Sequence, residues 1–180
     1  GGGDHLGNGS ALFPEIVFSG GDRSEGQLAL LKQRHPQLAD RAILQDLTMP
    51  FSNNWPKVDL VYSQAVLMHI HTAVSHFVAF ANMINQSNKH VVLMENYQCH
   101  NFVEEAQALF DGGHTNWPKM NIYRFDGSHG ARIILLSQED LDYPKLTSDA
   151  QIRDGLKVSD RRLKRGQEDF DRAIFGNALK

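Results

Sequence analysis

The 180-residue chain has one cysteine, Cys99. It can therefore form no internal disulfide, and cysteine-built zinc ribbons are excluded. It lacks any apolar run approaching the roughly 20 residues that a membrane-spanning helix needs. It also lacks a charge excess: the formal net charge of -3 gives no general push toward nucleic acid or anionic membranes. No basic-then-apolar leader is present, and a cytoplasmic home is the expectation. Two catalytic signatures are absent as well. No Gly-x-Ser-x-Gly elbow argues for a hydrolase, and no His-Glu-x-x-His pair argues for a zinc protease.

What is present is an alternation of strand-like and helix-like segments, which points to an α/β fold with a mainly parallel sheet. Glu15–Ser19 reads as a strand. Ser24 suits the cap of a helix that carries Leu28, Leu30 and Leu31 to a stop at Pro36. Arg41–Gln45 is a short strand ended by Asp46. Pro50–Pro56 is a loop, and Val58–Tyr62 reads as a buried strand running into a turn and a helix. A helix over about Thr72–Ile84 puts Val74, Phe77, Val78 and Ala81 on one face.

After a turn at Gln86–Asn88, His90–Met94 is apolar enough for a strand covered on both sides. A helix from Phe102 to Phe110 stops at Gly112-Gly113. Met120–Phe125 and Ala131–Leu136 flank a turn-rich stretch too short for a helix and should form an antiparallel hairpin. Ser159–Phe175 suits a further helix. The expected organisation is one domain over 1–145 and a helical extension over 146–180.

Parallel sheets bind ligands beyond the carboxyl ends of their strands. A nucleoside there needs a glycine turn for close approach and, about 20 residues on, an acid to accept from the ribose hydroxyls. Gly1-Gly2-Gly3-Asp4 and Asp22 have that spacing.

These segments resemble the motifs of class I S-adenosylmethionine (SAM) dependent methyltransferases. Phe18–Glu25 resembles the second-strand motif, Asp46–Phe51 the adenine-side loop, and Val58–Ile70 the fourth-strand motif with its Leu-x-His helix start. Gln86–Tyr97 resembles the fifth strand, and the hairpin resembles the reversed sixth and seventh strands. Leu67–Ile70 together with His90–Tyr97 is further similar to the small methyltransferases of nonulosonic-acid (pseudaminic acid type) sugar pathways.

The resemblance implies a three-layer Rossmann-like fold, SAM as donor and a small-molecule hydroxyl, of the sugar class, as acceptor. It implies Gly1, Gly3, Asp22, Arg23, Asp46, Leu47, Ser63 and Gln64 as cofactor contacts, with Asp22 on the ribose and Asp46-Leu47 on the adenine. His69 is the candidate base, with Glu95 and Tyr97 positioning the acceptor. The family's first strand should precede the glycine turn, but the sequence opens at Gly1. Either that segment lies outside this sequence, or the opening residues are not the native motif.

Each residue also has a plainer role. His69 can cap or pack at a helix start, Glu95 can be a strand-end carboxylate, and Asp59 can tie down a loop. No metal is expected: of His69, His71 and His76, only the first and last share a helical face.

A nicotinamide enzyme would share the glycine turn and Asp22, but its fingerprint needs glycine where Leu6 stands. An RNA methyltransferase is an alternative. Arg153, Lys157, Arg161, Arg162, Lys164 and Arg165 cluster, yet Asp154, Asp160, Glu168 and Asp169 intersperse them as on a solvated helix face. The Asp/Asn-Pro-Pro-aromatic motif of base amino-methylation is replaced by Ser63-Gln64-Ala65-Val66, which argues against base N-methylation though not against other RNA chemistry; with the acids interspersed among the basic residues, a nucleic-acid partner is not expected. A third alternative is a binding or scaffold module with a degenerate methyltransferase fold.

Overall fold

The computed structural model describes residues 1–127 and 130–155. The helix expected over Ser159–Phe175 and the basic residues from Lys157 to Arg165 lie outside the described residues. The fold is α/β with mixed sheets. It forms two compact units, Gly1–Met49 and Pro50–Lys180. Among the described residues, no helix is long and apolar enough to cross a membrane.

The first unit holds α1 (Asp4–Leu12), β1 (Gly20–Asp22), α2 (Glu25–Arg34), a 3-10 turn over Pro36–Arg41 and β2 (Ala42–Leu44). β1 and β2 pair in parallel, Gly20 opposite Ala42 and Asp22 opposite Leu44. Leu6, Leu31 and Leu38 form the core, with Phe18 and Ala42 packed against it. α2 starts where expected: the Ser24 hydroxyl accepts from the Gln27 amide at 3.3 Å.

Two expectations shift here. The strand expected over Glu15–Ser19 begins only at Gly20. Its β-branched residues face water, Val17 being 80% exposed, while Phe18 turns onto the leucine core. α1 forms despite Gly7 and Gly9. A β-carbon at Gly7 would stand 2.3 Å from the His35 ring, so packing selects glycine there against helix propensity.

The second unit holds β3 (Val58–Gln64), a 3-10 turn over Leu67–His69, α3 (Ser75–Gln86), β4 (Ser87–Met94), α4 (Phe102–Asp111), β5 (Asn121–Asp126), β6 (Arg132–Ser137) and α5 (Asp149–Arg153). The sheet order is β3-β4-β6-β5. β3 and β4 are parallel, and β6 is antiparallel to both β4 and β5. The expected hairpin therefore forms, with its second strand inserted beside β4.

The sheet is mixed. Among its described strands β3, β4 and β5 run one way and β6 runs against them. Register places Val61, Val91, Leu136 and Ile122 in one row, and Ser63, Leu93 and Ile134 in the next. Val91, Leu93, Ile134 and Leu136 are fully buried. α3 lies against β3 and β4 and packs beside α4. Phe80 meets Phe102 edge-on at 6.1 Å, and Phe102 meets Tyr97 edge-on at 5.9 Å.

Three details differ from expectation. β3 is an edge strand, with Leu60 and Tyr62 exposed, rather than a buried one. α3 runs directly into β4 without a separate turn, because the Ser87 hydroxyl accepts from the Lys89 and His90 amides at the junction. α3 also buries a different face. Ala79, Phe80, Met83 and Ile84 are inside, Val74 is exposed, and Phe77, Val78 and Ala81 line a groove of about 470 Å³ with Leu109 and His114.

Candidate functional site

In the first unit, β1 ends at Asp22 and β2 ends two residues before Asp46. Because the strands are parallel, both acids stand at the same end of the pair, where the Gln45 amide donates to the Asp22 carbonyl at 3.0 Å. The Asp22 carboxylate accepts from the Ser24 amide at 2.8 Å and from the Gly1 amino group. Partial burial works against its charge, but these hydrogen bonds and the nearby Arg23 outweigh it and hold the pKa below the ordinary aspartate value.

Asp46 accepts from both the hydroxyl and the amide of Thr48, at 2.7 and 2.9 Å, which depresses its pKa in turn. Both groups are thus held as carboxylates at neutral pH. Gly3 caps α1 with φ at 86°, and a β-carbon there would stand 2.5 Å from the Leu31 side chain. Its lack of a side chain therefore serves α1 and its packing on α2. Arg23 is exposed and Leu47 half-buried.

In the second unit, the loop leaving β3 is held by one side chain. Glu95, just past β4, accepts from the Val66 amide through both oxygens at 3.1 Å, from Leu67 at 3.3 Å and from Met68 at 3.1 Å. The Ser63 hydroxyl donates to the same carboxylate. Three consecutive amides wrapped round an anion form a nest, here filled by the protein's own side chain. Ala65, at the entry to this loop, is held at φ 52°, in the left-handed region that costs a residue with a β-carbon roughly 1–2 kcal/mol. The Glu95 contacts offset that strain.

His69 follows the clamped amides directly and is exposed. Gln64 is exposed at the end of β3, and Ser63 is buried. Tyr97 is 3% exposed, and its hydroxyl lies 2.6 Å from the Leu93 carbonyl and 2.9 Å from that of Arg132. Burial raises its pKa strongly. Glu95 and Tyr97 therefore both engage the protein's own backbone.

The structure also brings together three residues that sequence reasoning did not group. His76 at the start of α3, His100 before α4 and Glu105 in α4 present ligand atoms that all lie within 4.8 Å of one another. Their positions, 76, 100 and 105, carry no shared periodicity; only the packing of α3 on α4 unites them. Arg153, from the expected basic cluster, faces inward here. It donates to the backbone carbonyls of Tyr97 at 2.5 Å and His100 at 2.9 Å, and to the Asn101 side chain at 2.7 Å.

Comparisons with protein-family profiles, with curated proteins and with solved structures gave no match.

Proposed function

We propose that the chain is a SAM-dependent methyltransferase of three-layer Rossmann-like architecture, acting on a small-molecule hydroxyl of the sugar class. The observation that carries this reading is the position of Asp22 and Asp46 at one end of a parallel strand pair. Ribose hydroxyls and an exocyclic amine are donors, and carboxylates at strand ends are the acceptors they need. The glycine turn belongs to the same unit, with Gly1 in contact with Asp22. The order β3-β4-β6-β5, with β6 reversed, agrees with the sequence resemblance.

Transfer from a sulfonium needs alignment, dryness and, for a hydroxyl acceptor, a base. SAM, when bound, would supply the activated methyl group, and His69 would take the proton of the acceptor hydroxyl. Glu95 serves this step as a positioning residue, since it fixes the three amides that precede His69. Tyr97 acts from the core, supporting β4 and β6 through the Leu93 and Arg132 carbonyls.

Calorimetry with SAM tests the assignment. Asp22→Asn should weaken binding about tenfold or more, because a hydrogen bond to a charged group is worth roughly 1.5–3 kcal/mol. His69→Ala should abolish turnover and leave SAM affinity unchanged. Equal affinity in Asp22→Asn removes the ribose assignment, and full turnover in His69→Ala removes the base. No binding by the unaltered chain favours a module that keeps the fold without the cofactor.

A further inference from the structure

The His76, His100 and Glu105 cluster lies within the second unit and takes no part in the proposed transfer. His76 Nε2 stands 3.3 Å from Glu105 Oε1. Two ligands held tetrahedrally about 2.0–2.1 Å from a zinc ion are themselves roughly 3.3 Å apart. The pair makes a hydrogen bond here, and its spacing is also compatible with two ligands of one ion.

The His100 ring stacks on His76 at 4.1 Å with 13° between the planes, and its ligand nitrogen lies within 4.8 Å of the ligand atoms of the other two residues. His100 is oriented from outside the cluster. Its Nε2 lies 3.1 Å from the Leu67 carbonyl, which can only accept, so Nε2 carries the proton and Nδ1 is the basic nitrogen. A second partner of this kind, fixing tautomer and ring orientation, is a regular companion of metal-binding histidines.

The second oxygen of the same carboxylate, Glu105 Oε2, is buried and has no hydrogen-bond partner. Leaving such an atom unsatisfied is costly.

We propose that His76, His100 and Glu105 bind one divalent transition-metal ion of the zinc class. Two imidazoles and one carboxylate leave the fourth position of a tetrahedral ion open to water or another ligand, the composition of an open rather than a closed zinc site. Softer thiolate-preferring ions and oxygen-preferring magnesium fit this donor set less well. His71, whose ring centroid lies 5.7 Å from that of His100, is a further imidazole at the rim. The Leu67 carbonyl links the site to the loop held by Glu95, so a bound ion would also stiffen the segment leading to His69.

The test uses the tag-free full chain, stripped with a chelator and titrated with Zn2+ by calorimetry. One equivalent should bind, and Glu105→Gln and His76→Ala should each weaken it at least tenfold. His5→Ala, which removes an exposed histidine of the first unit, should change nothing and so sets the level of non-specific imidazole binding. Circular dichroism confirms that each variant is folded. Co2+ bound to the unaltered chain gives an independent reading. Intense visible absorption of tetrahedral type supports the site, whereas weak octahedral bands overturn it. Absence of saturable Zn2+ binding, or equal affinity in Glu105→Gln and His76→Ala, also overturns it.

Discussion

The Glu95 carboxylate answers four donors contributed by residues 27 to 32 positions earlier in the chain. One side chain thereby sets the path of the backbone from Ser63 to Met68. Removing it leaves three loop amides without their acceptor and the left-handed Ala65 without its restraint. Hydrogen bonds to a charged group are worth roughly 1.5–3 kcal/mol, and unsatisfied donors add to the loss. Glu95→Ala should therefore destabilise the protein by about 2–4 kcal/mol in urea denaturation. Glu95→Gln should fall between, because it keeps one acceptor oxygen but turns an amide donor toward other donors. A loss below about 0.5 kcal/mol in Glu95→Ala, the usual size for a surface change, would show that the loop holds its shape without the clamp.

At the scale of elements, helix ends are satisfied across long sequence distances. Asp149 begins α5, is 2% exposed, and accepts from the Val103 and Glu104 amides at the start of α4, at 2.9 and 3.1 Å. Glu104 returns the contact, accepting from the Asp149 amide at 3.0 Å. Each helix thus caps the other, and each carboxylate sits at the positive end of a helix dipole. Losing a cap typically costs about 1 kcal/mol and up to roughly 2. Asp149→Ala should cost at least that, since it opens two amides at once. It should also raise amide hydrogen exchange at Val103 and Glu104. Unchanged exchange there would mean that α4 is capped by other means.

Local chemistry made many elements readable from the sequence, and packing decided the rest. The Ser24 cap, the stop before Pro36, β4 and the hairpin rest on short-range signals, and they form as expected. The buried face of α3 was not readable, because Phe77, Val78, Ala79, Phe80, Ala81, Met83 and Ile84 make the helix apolar all round. Periodicity then names no single inner side. β1 escaped notice because Gly20-Gly21 carries no strand propensity and is held only by its register with β2. Asp46 was legible as the residue that follows the short strand before it. The grouping of His76 with His100 and Glu105 was not, since it depends on how two helices pack.

At the scale of the whole molecule, the chain divides into two units. The first unit holds Asp22 at the end of β1 and Asp46 two residues past the end of β2, its parallel neighbour. The second contributes a mixed sheet with a clamped loop leading to an exposed histidine. Each unit has its own buried core: leucines around Leu31 in the first, and aromatic and aliphatic residues around Phe80 and Phe102 in the second. The central proposal is that the paired acids of the first unit hold an adenosyl group.

A crystal structure of the chain soaked with S-adenosylhomocysteine tests this most directly. The account predicts both ribose hydroxyls within hydrogen-bond distance of the Asp22 carboxylate and the adenine amine toward Asp46. A ligand bound elsewhere, or an Asp22 carboxylate that makes no contact with the soaked nucleoside, would contradict it.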